Sequence, residues 1–121
     1  METPKIFESE FQFCEILWEN EPVNSTELVR LCKEKLGWSK ATTYTVIRRL
    51  SERGAVKNEN TMVSSLVSRE EVQAYEIKDL VQKRFRGSLA AFINTFTKHE
   101  KLSEADINEL EKMISDYRKG K

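Results

Sequence analysis

Between Asn24 and Gly54 the chain writes two helical segments around one very short break, and this spacing constrains the fold more than any other feature. In "STELVRLCKEKL", Leu28, Leu31 or Cys32, and Leu36 recur at helical spacing, and Asn24 with Glu27 forms a capping box ahead of them. Gly37 stands where a left-handed residue closes a helix. Only Trp38 separates it from Ser39, a good N-cap for the next one. That next helix, "KATTYTVIRRLSER", runs to Arg53 and stops at Gly54. Two helices joined by a tight turn containing glycine are the helix-turn-helix pattern.

The flanking segments extend this core in both directions. Ser9 with Gln12 predicts a capped first helix with an apolar stripe of Phe13, Ile16 and Leu17, closed by Pro22. After Gly54 the period changes: "AVKNENTMVSSLVS" has β-branched residues on both sides of a polar centre and reads as a short hairpin. Ser68 with Glu71 is a further capping box, opening a helix whose apolar face is Val72, Tyr75, Leu80, Val81 and Phe85. Arg86-Gly87 breaks that helix, "SLAAFINTFTK" supplies a short apolar one, and Ser103 caps the last. The expected architecture is mainly α. Residues 1–68 form three helices and a β-hairpin, and residues 69–121 form a helical unit, with the boundary near Ser68.

Bulk properties exclude several classes. A chain of 121 residues is one ordinary domain or two small interdependent ones. No apolar run approaches the ~20 residues a membrane span needs, and "METPKIFESEF" lacks the layout of a secretory signal. A cytoplasmic protein without membrane association is expected. Cys14 and Cys32 fall inside helical segments and read as small buried hydrophobes, the alternative being a disulfide or redox pair, which requires the two helices to face each other at that level. His99, in "TKHEK", reads as a solvated surface residue. With no glycine-rich phosphate loop, nucleophile elbow or paired zinc-type ligands, the sequence offers no catalytic residues, no metal site and no cofactor.

Net charge is zero, but the charge is unevenly spread. Between Trp38 and Lys57 stand Lys40, Arg48, Arg49, Arg53 and Lys57 against the single acid Glu52. On a helical wheel Thr43, Val46, Ile47 and Leu50 make the inward stripe, and Ala41, Thr45, Arg48 and Glu52 lie opposite. Thr42 and Arg49 flank that outer sector on one side and Tyr44 on the other. Small and hydroxyl-bearing residues at a helix start let it approach base edges, and cations further along reach phosphates. The candidate DNA-binding residues are therefore Ser39, Lys40, Ala41, Thr42, Tyr44, Thr45, Arg48, Arg49, Arg53 and Lys57. Ser39 and the helix N-terminus add phosphate donors, and the hairpin serves as a wing on the adjacent backbone. The competing reading is a winged helix used for protein–protein contact, since fold does not fix function.

The C-terminal half carries more large apolar side chains than a unit of ~50 residues buries by itself. Phe85, Leu89, Phe92, Ile93, Phe96, Ile107, Leu110, Met113, Ile114 and Tyr117 are the candidate dimer interface, a homodimer being the commonest solution. Folding back onto the first half is the alternative.

The run "WSKATTYTVIRRLSERGAV", with "EILWENEPVNSTELVRLCKEKLG" before it and "SSLVSREEV" after it, resembles the penicillinase-repressor family over essentially the whole chain. Tryptophan-serine at the turn, Thr42 and Thr45 three apart, Arg49-Leu50 and Gly54 carry the likeness, together with "LWE" at 17–19, "LVS" at 66–68 and the tail "KLSEADINELEKMI". The resemblance implies a winged-helix homodimeric repressor on a double-stranded inverted-repeat operator, controlling β-lactam resistance or a related stress response. It also implies a sensor-linked protease as a further partner. Thr42 and Thr45 would approach bases, with Lys40 and Arg49 among the DNA contacts. Three departures stand out, the first being a wing poor in the tyrosines usual there, which implies a weaker or altered grip on the backbone. The Asn-Phe pair cleaved in well-known members is replaced by "FINTFTK", where Thr95 separates Asn94 from Phe96. The cysteine-rich tail of copper-responsive relatives is replaced by "SDYRKGK", which points away from thiolate copper sensing.

Overall fold

A computed structural model describes residues 3–120, and these described residues form nine elements. In order these are α1 (Glu8–Asn20), β1 (Val23–Asn24), α2 (Ser25–Leu36), α3 (Lys40–Glu52), β2 (Val56–Glu59), β3 (Met62–Ser65), α4 (Arg69–Phe85), α5 (Leu89–His99) and α6 (Glu104–Lys119). The chain divides into two units, Met1–Ile77 and Lys78–Lys121, and the division falls within α4.

Most helix starts follow the caps read from the sequence. Ser39 accepts from Thr42 N–H, Ser103 accepts from Asp106 N–H, and Ser68 exchanges both capping-box bonds with Glu71. Two starts differ. Helix α1 begins at Glu8, ahead of the expected cap at Ser9, because the Glu10 carboxylate reaches back to Phe7 N–H at 2.9 Å. Asn24 does cap α2, accepting from Thr26 N–H at 2.8 Å, but Glu27 does not complete the box. Its carboxylate pairs with Arg30, one turn along the helix, at 2.5 Å.

The first unit wraps a core of Phe13, Leu17, Leu28, Leu50, Val56, Val63 and Val72, all fully buried. Full burial of each such side chain contributes ~1.5–3 kcal/mol. Cys14 and Cys32 belong to this core as free thiols. Burial, reinforced by the carboxylates of Glu10 and Glu21 and opposed by Arg53, pushes the Cys14 thiol up to about 12. Burial also raises the Cys32 thiol, and a hydrogen bond with Thr43 draws it partly back. Both side chains are therefore protonated packing groups at neutral pH.

The sheet is antiparallel in the order β1-β3-β2. Strand β1 was not expected from the sequence. Its two residues have no period of their own and become a strand only by pairing Val23 with Val63. Asn60 and Thr61, both at positive φ, make the hairpin turn, and Ser25 N–H donates to the Thr61 carbonyl at 2.8 Å. Glu21 accepts from both Ser65 N–H and its hydroxyl. The hairpin is thus tied at its turn to the start of α2 and at its root to the end of α1.

In the second unit Arg86 and Gly87 take left-handed φ of 54° and 83°, which ends α4, and Ser88 caps α5. Phe85 and Phe92 meet edge to face at 5.5 Å. Val81 is buried, whereas Leu80, expected on the same apolar face of α4, is 42% exposed. Helices α5 and α6 contain no buried residue.

Candidate nucleic-acid interface

The turn between α2 and α3 is built by local hydrogen bonding and one large ring. Gly37 adopts φ 71°, a conformation that costs a residue with a Cβ, and its N–H donates to the Lys33 carbonyl. Trp38 N–H donates to the Cys32 carbonyl, and the Trp38 ring lies parallel to Phe13 with centroids 6.3 Å apart. The start of α3 is thereby fixed to the core of the first unit. Thr43, Val46, Ile47 and Leu50 are buried along α3, as the wheel requires.

The opposite side of α3 has no packing duty. Ser39, Lys40, Ala41, Thr42, Arg48 and Arg49 are exposed and Thr45 is half-buried. Ser9, on the first turn of α1, joins Trp38, Ala41, Thr42, Thr45, Val46 and Arg49 around one groove beside the helix. Nothing near Ser9 in the sequence points to this place, since the first of its groove partners, Trp38, lies 29 positions along the chain.

Hydroxyl chemistry at the helix start is specific. Ser39 Oγ accepts from Thr42 N–H at 3.1 Å and donates to Thr42 Oγ1 at 3.0 Å. The Ser39 proton is committed to Thr42, so the outward donor of this pair is the Thr42 hydroxyl, polarised by the bond it accepts. Tyr44, at the edge of the face, places its hydroxyl 3.3 Å from that of buried Ser25. Its phenol therefore bridges α3 to α2.

The five cations of the region are not equivalent. Arg53, expected among the phosphate contacts, hydrogen-bonds the Glu10 carboxylate and lies 5.2 Å over the Phe7 ring. Glu10 is buried, and Arg53 retains 30% side-chain exposure. Arg48 stands 3.6 Å from Glu52 and Lys57 stands 3.5 Å from Glu59, both pairs in solvent. Among the described residues, Lys40 and Arg49 have no acid within ion-pair distance.

Most of the residues expected at a dimer interface share one property, exposure. Leu89, Ile93, Phe96, Ile107, Leu110, Met113, Ile114 and Tyr117 are all exposed, and Phe85 and Phe92 are half-buried against each other. Among the described residues no cluster of histidine, cysteine and acidic side chains could hold a metal ion, and no helix is long and apolar enough to cross a membrane.

Three helices, a hairpin tied to them and an exposed α3 face define the first unit as a winged helix-turn-helix. The family model described as penicillinase repressor matches residues 6–116, and the chain belongs to that family. It is 23% identical to the penicillinase repressor of Bacillus licheniformis over 98% of this chain and 95% of that protein. It is 25% identical to the methicillin resistance regulatory protein MecI of Staphylococcus aureus over 93% of this chain and 95% of that protein. Among solved structures, the monomeric form of B. licheniformis BlaI in complex with the blaP half-operator matches with a TM-score of 0.51 at 21% identity. That match covers 59% of this chain and 93% of the other.

Proposed function

We propose that the chain is a sequence-specific transcriptional repressor, acting in the cytoplasm as a homodimer on an inverted-repeat operator. The observation that carries this reading is the α3 face from Lys40 to Arg49, held rigid at the Trp38 turn yet unused by the core. In this role α3 enters the major groove, where Ala41 allows close approach and Thr42 and Thr45 meet base edges. Lys40 and Arg49 contact phosphates. Tyr44 positions the helix by its bond to Ser25, and Arg53 maintains the fold through Glu10.

Residues 69–121 serve as the dimerisation domain through the exposed apolar stripe of α5 and α6. Membership of a family of repressors, with relatives named for penicillinase and methicillin resistance, favours control of β-lactam resistance or a related stress response. Release by a sensor-linked protease would act on a different bond from an Asn-Phe pair, since Thr95 separates Asn94 from Phe96 within α5.

Selection of bound duplexes from a random pool tests the reading: enriched sites should be palindromic, and their binding should weaken steeply with salt. Failure to enrich any sequence, or binding indifferent to salt, would overturn it.

A further inference from the structure

Resting on that reading of the interface, we propose that Glu59 is an intramolecular counter-ion that keeps the wing electrically neutral and weakens its hold on the phosphate backbone. Lys57 and Glu59 are two residues apart on β2, so their side chains share one face of the strand. The register sets Ser64 opposite Lys57 and Met62 opposite Glu59. The outward face of the hairpin is therefore Lys57, Glu59, Met62 and Ser64, while Val56 and Val63 on the other face are buried. No other charged residue occurs between Val56 and Ser65.

Lys57 Nζ lies 3.5 Å from the Glu59 carboxylate, with side-chain exposures of 52% and 71%. A phosphate approaching the wing meets an ammonium whose charge already has a partner. The pair is solvated, so its displacement is easy and the effect on binding is graded rather than absolute. Helix α3 repeats the device at Arg48 and Glu52, whereas Lys40 and Arg49 lack it. Phosphate grip is thus concentrated at the two ends of the α3 reading face and is weak at the wing.

The test measures binding of the full-length protein to a short duplex of mixed sequence over a range of salt concentrations. E59Q is expected to tighten binding about two- to fivefold at low salt. It should also steepen the dependence of log affinity on log salt by about 0.9 for each wing engaged. In the K57Q/E59Q double variant both gains should vanish. An unchanged E59Q overturns the proposal while salt-dependent binding by the wild type leaves the repressor reading standing. A gain that persists without Lys57 also overturns it, since general repulsion would then be the cause. A wild type that binds no duplex overturns both.

Discussion

Arg53 and Arg49 stand four residues apart at the end of one helix, and their replacement by alanine should fail in opposite ways. Removing Arg53 strips the Glu10 carboxylate of its cation inside the first unit and removes the guanidinium stacked on Phe7. Breaking a fully buried pair costs ~3–5 kcal/mol, and an exposed one ~0.2–1 kcal/mol. Glu10 is buried but Arg53 keeps 30% exposure and Glu10 keeps its bond from Phe7 N–H, so the expected loss is intermediate. Arg53→Ala should cost about 2 kcal/mol of stability, which for a domain of this size lowers Tm by roughly 8–16 °C. Glu10→Gln retains an acceptor for Phe7 N–H and should cost about half as much.

Arg49 is exposed and has no ion-pair partner among the described residues, so Arg49→Ala should change stability by less than about 0.5 kcal/mol. It should instead flatten the salt dependence of duplex binding by about 0.9 per protomer. Thermal melts followed by circular dichroism, with anisotropy titrations of a labelled duplex at several salt concentrations, separate the two. Should Arg53→Ala melt like the wild type and flatten the salt dependence as Arg49→Ala does, Arg53 would be a phosphate contact and the separate roles of the two arginines would be refuted.

Three further outcomes follow from other parts of the molecule. Phe96→Ala should shift the sizing profile toward monomer and weaken operator binding through lost avidity, and an unchanged dimer would displace the interface from α5. Ser68→Ala removes the acceptor for Glu71 N–H and should cost about 1 kcal/mol, read as a lower urea midpoint. The folded Cys14 thiol titrates near 12 against an ordinary 9.0, so the unfolded chain binds fewer protons between those values. Stability should therefore fall as pH rises from 9 toward 12, and Cys14→Ala should lessen that fall in urea titrations at successive pH values.

Local chemistry made much of this fold legible in the sequence. The Gly37 turn, the caps at Ser39, Ser68 and Ser103 and the inward stripe of α3 each depend on residues within a few positions of one another. The features missed depend on distant partners. Strand β1 exists only because β3 passes beside it, and nothing in Val23–Asn24 announces that. The start of α1 looked like a serine cap. It is set instead by a glutamate that also holds an arginine forty-three positions away. The same long-range bond separates Arg53 from Arg49, although both count among the cations between Trp38 and Lys57. A wheel assigns direction, but it does not say which outward cation already has a carboxylate waiting. Tyr44 shows the converse, since only the position of Ser25 across the turn reveals that its hydroxyl is committed to α2.

Charge placement and the exposed stripe of the second unit bear on one another under the proposed function. Of the five cations between Trp38 and Lys57, Arg53 belongs to the fold, and Arg48 and Lys57 each hold a carboxylate. One winged-helix unit then brings Lys40 and Arg49 to the backbone as unpartnered cations. Each phosphate contact contributes through counter-ion release, so a half-site read by so few of them is held weakly. Covering the apolar stripe of α5 and α6 with a second copy makes the second half-site encounter intramolecular, which raises overall affinity by ~10²–10⁴ without any new DNA contact. A protein with a sparse phosphate grip and a strong dimer discriminates by demanding two correctly spaced half-sites at once. On mixed-sequence DNA each unit holds on only through its few cations. A chain of zero net charge can therefore read DNA, provided that its cations are placed rather than numerous and that it arrives in pairs.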